Sequence, residues 1–150
     1  DLPVVEASFS ILDDFGVKYT KNVMSAHRTP HDVMELIKNS EENGCKVFIA
    51  AAGMAAHLAG AVAAHSTKPV IGIPIESGGM GGIDSLLSTA MMPPGVPVAT
   101  VAVGKSGAKN SAILAVQILA TSDEDLAQKL VKYKQNMRSE VLEKDKKLNS

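Results

Sequence analysis

KVFIAAA at residues 46–52 and PVIGIPI at residues 69–75 decide the fold of this chain. Both are short, continuous apolar runs, which are typical of strands that are buried on both faces of a sheet. Segments with helical periodicity precede and follow each run. Because strands that alternate with helices form parallel sheets covered on both faces, the sequence predicts an α/β fold.

The rest of the chain continues this alternation within one predicted domain, residues 1–150. Two further strands are predicted, VKYTKNV at 17–23 and VPVATVAV at 96–103. The predicted helices are 2–15, which ends at Gly16, then 29–43, 55–66, a short one from Ile83, 108–120, and 123–147 with Ser122 as its cap. The first helix needs a strand that leads into it, so we expect the sheet to continue upstream of Asp1.

Composition excludes several classes of protein. Of the 150 residues, 45% are hydrophobic and 21% are charged, which does not fit a disordered chain. A net charge of −1 and 3% aromatic residues argue against nucleic-acid binding. The apolar runs are too short for a membrane span, which takes about 20 residues. A single cysteine excludes an internal disulfide framework, so we expect a cytoplasmic protein.

Ligands of open parallel sheets bind beyond the carboxyl ends of the strands, so the loops there are the candidate site. The first, SAHRTP at 25–30, brings a hydroxyl, an imidazole and a guanidinium together. Arg28 beside a helix N-terminus suits a phosphate, and His27 suits acid–base work near neutral pH. The alternative is a surface loop whose arginine is merely solvated.

The second loop, GMAAH at 53–57, follows the strand at 46–52. Its small residues allow the backbone to approach a ligand closely, and His57 could meet His27 across adjacent strand ends. A His57 that only packs beneath the loop is the alternative. The third loop contains GGMGG at 78–82, which fits neither the dinucleotide fingerprint nor the P-loop. We interpret it as a flap over the substrate, with a surface turn as the alternative.

Metal and thiol chemistry find little support in the sequence. No spacing of His or Cys matches a zinc site. Cys45 begins a predicted buried strand, where an inert small hydrophobe is the better interpretation. His31 and His65 are predicted to be surface residues.

Taken together, the motifs resemble those of the N5-carboxyaminoimidazole ribonucleotide mutases, enzymes of purine biosynthesis also called the catalytic subunit of phosphoribosylaminoimidazole carboxylase. The motifs are SAHRTP at 25–30, EENG at 41–44, AAHLAG at 55–60, GGIDSLLS at 81–88, MPPGVPVATVAVGK at 92–105 and AILAVQILA at 112–120. The resemblance covers nearly the whole chain. It implies a three-layer α/β/α sandwich on a parallel, flavodoxin-like sheet.

The resemblance also implies roles for individual residues. His27 would be the proton-transfer residue. The substrate-binding residues would be Asp1 for the ribose hydroxyls, Ser25 and Arg28 for the phosphate, the backbone of Ala52, Gly53 and Met54 for the imidazole and carboxylate, and His57 and Leu58 for the wall. The family begins with a strand and a GSxSD loop, of which this sequence matches only the final Asp1. It also has Met54 and Ala59 where the family usually has Gly and Pro, and both could alter the loop shape.

The implied reaction moves a carboxylate from the exocyclic nitrogen (N5) of the ribonucleotide to ring carbon C4. It implies no metal, no organic cofactor and a homo-octamer in which residues 123–147 pack on a neighbouring subunit. A synthetase that makes the substrate is the implied functional partner. Two alternatives stay open: direct carboxylation of aminoimidazole ribonucleotide by CO2, and a nucleotide-binding module without catalysis.

Overall fold

The computed structural model describes residues 1–149, which contain six helices and three strands. In chain order these are α1 (Leu2–Phe15), α2 (Pro30–Glu42), β1 (Phe48–Gly53), α3 (Leu58–His65), β2 (Val70–Ile75), α4 (Ile83–Ala90), β3 (Ala99–Thr100), α5 (Lys105–Ala120) and α6 (Glu124–Leu148). Helices and strands alternate through the middle of the chain, and the predicted α/β fold is confirmed.

The sheet is parallel, with the strand order β1-β2-β3. β1 and β2 pair along their whole length, from Phe48 with Val70 to Gly53 with Ile75. All six residues of β2 are buried, as expected of a central strand covered on both faces. The two strands end level with each other, so the loops that follow them emerge side by side.

Helices cover both faces of the sheet because side chains alternate between the faces along each strand. On one face, Ala50 and Val70 join a core cluster with α2 and α3. On the other, Ile73 and Ile75 pack with Ala108 of α5 and the first half of α1. The second half of α1 packs with α5 and with Leu126 of α6 in a third cluster.

Two strand predictions are wrong. Residues 17–23 form no strand, and the predicted strand at 96–103 is reduced to Ala99–Thr100. A strand forms only where its backbone pairs with a neighbour, and within the described residues no strand lies beside 17–23. Within this segment Val17 and Tyr19 are half-buried, whereas Val23 is 92% exposed.

The end of α1 agrees with its prediction, whereas the cap of α6 does not. α1 ends at Phe15 as predicted, with Gly16 as its C-cap at φ 73° in the left-handed conformation. α6 is capped by Asp123, whose carboxylate accepts a 3.0 Å hydrogen bond from the Leu126 N–H. Ser122 instead donates its hydroxyl to the Leu119 carbonyl of α5. Among the described helices, none is both long and apolar enough to cross a membrane.

Candidate active site

Two loops follow strands at the carboxyl edge of the sheet: 54–57 between β1 and α3, and 76–82 between β2 and α4. A third, 24–29 before α2, follows no strand among residues 1–149 and is placed at this edge by the contact of His27 with His57. In chain order we call 24–29 the first loop, 54–57 the second loop and 76–82 the third or Gly-rich loop. Ligands of open parallel sheets bind at this edge. Residues 76–81 are all exposed, which contrasts with the buried strand from which they emerge.

Local hydrogen bonds shape the first loop. The Ser25 hydroxyl accepts hydrogen bonds from the Arg28 backbone N–H (3.2 Å) and Nε (3.4 Å). The Thr29 hydroxyl donates to the Ser25 carbonyl and accepts from the Ser25 N–H, both at 3.0 Å. Thr29 therefore occupies the N-cap position of α2 but uses its hydroxyl to close the loop instead of capping the helix. Ser25 and Arg28 are held as one unit at the start of α2.

The second loop begins with a strained residue. Met54 has φ 56° and is the one non-glycine residue with positive φ among residues 1–149. Two tight turns follow, in which Ala56 N–H donates to the Met54 carbonyl (2.9 Å) and His57 N–H to the Ala55 carbonyl (2.7 Å). α3 therefore begins at Leu58 and not at residue 55, because the turns occupy the residues between.

These two loops bring His27 and His57 into contact. His27 Nε2 lies 2.6 Å from His57 Nδ1, and the two rings meet edge to face with centroids 4.7 Å apart. Both side chains are exposed at the carboxyl edge. A hydrogen bond between two imidazole nitrogens needs one donor and one acceptor, and the tautomers of the two rings decide which one donates. The expectation that the two histidines could meet is confirmed.

The remaining predicted residues lie at the ends of three different elements. Ala52 and Gly53 end β1 opposite Pro74 and Ile75, directly before the second loop. Asp1 is the exposed N-cap residue of α1, and its carboxylate makes no capping hydrogen bond.

Leu58 opens α3 and packs against the core cluster of α2 and α3, which gives its side chain a structural contact. The structure therefore joins His27, His57, Ser25 and Arg28 into one constellation, and it does not show Asp1 or Leu58 in contact with that constellation.

Two polar residues that sequence reasoning did not assign to the site lie in or under the Gly-rich loop. The Ser77 hydroxyl occupies the space that a side chain at Gly53 would need: a Cβ there would lie 1.8 Å from Ser77 Oγ. Asp84 Oδ1 is buried and lacks a hydrogen-bond partner among residues 1–149. The GGIDS pattern marked the loop, but contacts across two loops cannot be predicted from spacing.

The other ionisable candidates lie apart from this constellation. No group of three or more His, Cys, Asp or Glu in the described part of the chain could hold a metal ion. Burial raises the pKa of the half-buried Cys45 thiol, so little reactive thiolate forms near neutral pH. His31 and His65 are exposed, as predicted.

Comparison with known proteins assigns this arrangement to a family. The family model described as AIR carboxylase matches residues 1–140, nearly the whole chain. The chain belongs to the AIR carboxylase family.

Several curated relatives in this AIR carboxylase family carry the same name. An N5-carboxyaminoimidazole ribonucleotide mutase of Bacillus subtilis is 49% identical over 148 residues, which is 99% of this chain and 91% of the relative. An Escherichia coli mutase of the same name is 45% identical, covering 95% of this chain and 85% of the relative. The crystal structure of Treponema denticola PurE superposes with a TM-score of 0.91 at 29% identity, covering 100% of this chain and 92% of that one.

Proposed function

We propose that this protein is an N5-carboxyaminoimidazole ribonucleotide mutase that works in purine biosynthesis. The observation that carries the proposal is the 2.6 Å contact between His27 and His57, beside the Ser25–Arg28 unit at the ligand-binding edge. The name shared by relatives that are 44–50% identical supports the mutase over other chemistries of the family.

The first loop supplies the anchor for the substrate phosphate. The Arg28 guanidinium offers several donors, and α2 begins two residues further on with free backbone N–H groups. Ser25 holds the Arg28 side chain through its Nε and leaves the outer guanidinium nitrogens available. Asp1, whose carboxylate is exposed at the start of α1, binds the ribose hydroxyls. These contacts place the imidazole ring over the histidine pair.

His27 moves the proton in the reaction. The N5–carboxylate bond breaks to release CO2 and the amine takes up a proton, after which C4 of the ring attacks CO2 and loses its own proton. One proton is given and one is recovered, so His27 ends in its starting state and no oxidant or reductant is consumed. His57 Nδ1 contacts His27 Nε2 and thereby holds the His27 ring in position for this transfer.

The second and third loops keep CO2 within reach of C4. The backbone of Ala52, Gly53 and Met54 encloses the imidazole and carboxylate, and His57 and Leu58 form the wall. Exclusion of water matters because a free carbamate hydrolyses and free CO2 diffuses away. Holding the two fragments together turns a second-order recombination into an effectively first-order step.

The test is an assay for 4-carboxyaminoimidazole ribonucleotide with two substrates in parallel. One reaction contains the N5-carboxylated ribonucleotide, and the other contains aminoimidazole ribonucleotide with bicarbonate. We expect fast product formation only in the first. Efficient product formation in the second would assign the chain to direct carboxylation, and product in neither would favour a nucleotide-binding module.

We further propose that this single domain, residues 1–150, functions in the cytoplasm as a homo-octamer. α6 is 25 residues long, but Leu126 is its one buried residue among those described. Exposed apolar side chains at Val131, Met137 and Val141 follow, and a groove of about 390 Å³ lies between α5 and α6. A second copy of the chain covers this surface. The synthetase that makes the substrate delivers this substrate to the octamer without being part of the assembly.

The oligomer is tested by light scattering of the eluted protein and of two variants that each add one negative charge to α6. Val141→Glu places the charge among the exposed apolar side chains of α6, so we expect a smaller assembly. Gln135→Glu places it on an exposed polar position and should leave the mass unchanged. A monomeric wild-type protein, or an unchanged mass for Val141→Glu, would contradict the proposal.

A further inference from the structure

The loops after β1 and β2 are packed against each other at the point where the strands end. Gly53 is the last residue of β1 and pairs with Ile75, the last residue of β2. The Ser77 side chain fills the space next to Gly53, where a Cβ would meet Ser77 Oγ at 1.8 Å. The position of the Gly-rich loop is therefore tied to the segment that carries His57.

Met54 extends this contact at a cost in backbone strain. A glycine would adopt φ 56° freely, whereas a side chain in the left-handed region is strained. Although the Met54 side chain is 59% exposed, its Cγ lies 3.5 Å from the position that a Cβ of Gly78 would take. The strained conformation directs the methionine side chain onto the Gly-rich loop.

Asp84 approaches the same glycine from α4. A Cβ at Gly78 would lie 2.7 Å from Asp84 Oδ2, so this carboxylate can come close only because residue 78 has no side chain. The neighbouring Gly79, Gly81 and Gly82 all have positive φ. A loop with this many glycines has high conformational freedom, and one fixed point in it restricts much of the rest.

We infer that Met54 and Asp84 clamp Gly78 and thereby hold the Gly-rich loop against the loop that carries His57. Met54 is then a positioning residue: its side chain fixes the loop, and its carbonyl opens the turns that lead to His57. The inference deepens the proposed function and rests on it for its effect on catalysis. The clamp itself is a property of the fold and can be measured without substrate.

The test measures amide hydrogen exchange of residues 76–82 in the full chain, in the presence and absence of changes at Met54. Met54→Ala removes the contact and keeps a strained backbone, so exchange should become roughly threefold to tenfold faster. Met54→Gly removes both contact and strain, so exchange should also become faster while the thermal midpoint is higher than that of Met54→Ala. Met54→Leu keeps an apolar side chain and should exchange close to wild type.

Two further variants make the result specific. Gly78→Ala leaves Met54 intact but places a Cβ 2.7 Å from Asp84 Oδ2, so the Asp84 carboxylate must move away from the loop. A Gly→Ala change ordinarily restricts a loop, so faster exchange in this variant would be opposite in sign to the usual effect. Met91→Ala truncates another exposed methionine, at the end of α4, and should leave exchange of 76–82 unchanged.

Unchanged exchange in Met54→Ala, or slower exchange in Gly78→Ala, would overturn the clamp whatever the enzyme assay shows. In that assay, Met54→Ala should raise KM for the N5-carboxylated ribonucleotide more than it lowers kcat, because loop position affects binding. A loss confined to kcat would overturn the positioning role. If the exchange of the variants supported the clamp but the wild-type protein showed no turnover, the proposed function would be refuted and the clamp would stand.

Discussion

β2 and the Gly-rich loop are consecutive in the chain and opposite in character. Every residue of Val70–Ile75 is buried, and every residue from 76 to 81 is exposed. The strand is fixed by pairing on both sides and by packing on both faces. The loop is fixed by a few contacts made by side chains from other segments. Stability should therefore depend on the strand, and turnover on the loops at its carboxyl edge.

The His27→Asn variant should separate turnover from stability most clearly. The His27 side chain is exposed, so its replacement should leave the free energy of unfolding nearly unchanged. Loss of the acid–base group should lower kcat roughly 10²–10⁴-fold. His31→Asn is the matched control, because it makes the same change at an exposed histidine four residues away. Full turnover in His27→Asn would remove His27 from the mechanism.

The opposite behaviour is expected of Ile73→Ala in β2. Ile73 is 1% exposed and packs in the cluster with Ile75 and Ala108. Truncating a buried isoleucine to alanine leaves a cavity and should lower the free energy of unfolding by about 2–5 kcal/mol. Urea denaturation measures that loss, and kcat per folded molecule should stay near wild type. A variant that kept its stability but lost kcat would break the division between strand and loops.

The same contrast explains which features the sequence predicted. β1 and β2 are continuous apolar runs. This pattern is sufficient to predict them as strands, because a strand that is buried on both faces needs apolar side chains at every position. The contact between His27 and His57 was also predicted from sequence, but its premise was only half right, because β1 leads to the His57 loop whereas no strand in the described part of the chain leads to His27. The strand at 17–23 was wrong because pairing depends on a distant partner. The conformation of Met54 was missed because small neighbouring residues resemble the start of a helix.

A smaller effect on kcat is expected at His57. Substitution by Asn and by Gln separates the role of the hydrogen bond to His27 from that of side-chain size. An Asn amide can reach the position of His57 Nδ1, whereas a Gln amide lies one carbon further from the backbone. Losing the hydrogen bond to His27 should lower kcat up to about tenfold in His57→Gln, with a smaller loss in His57→Asn. Equal losses in the two variants would mean that the hydrogen bond does not position His27.

The smallest effect should come from the start of α6, outside both the strand and the loops. Asp123→Ala removes the carboxylate that accepts from the Leu126 N–H at 3.0 Å, and should lower the free energy of unfolding by about 1 kcal/mol. Ser122→Ala should cost less, because the Ser122 hydroxyl reaches the Leu119 carbonyl at only 3.5 Å. Urea denaturation of both variants compares them directly. If Ser122→Ala were the more destabilising, the cap would lie one residue earlier, where the sequence pattern had predicted it.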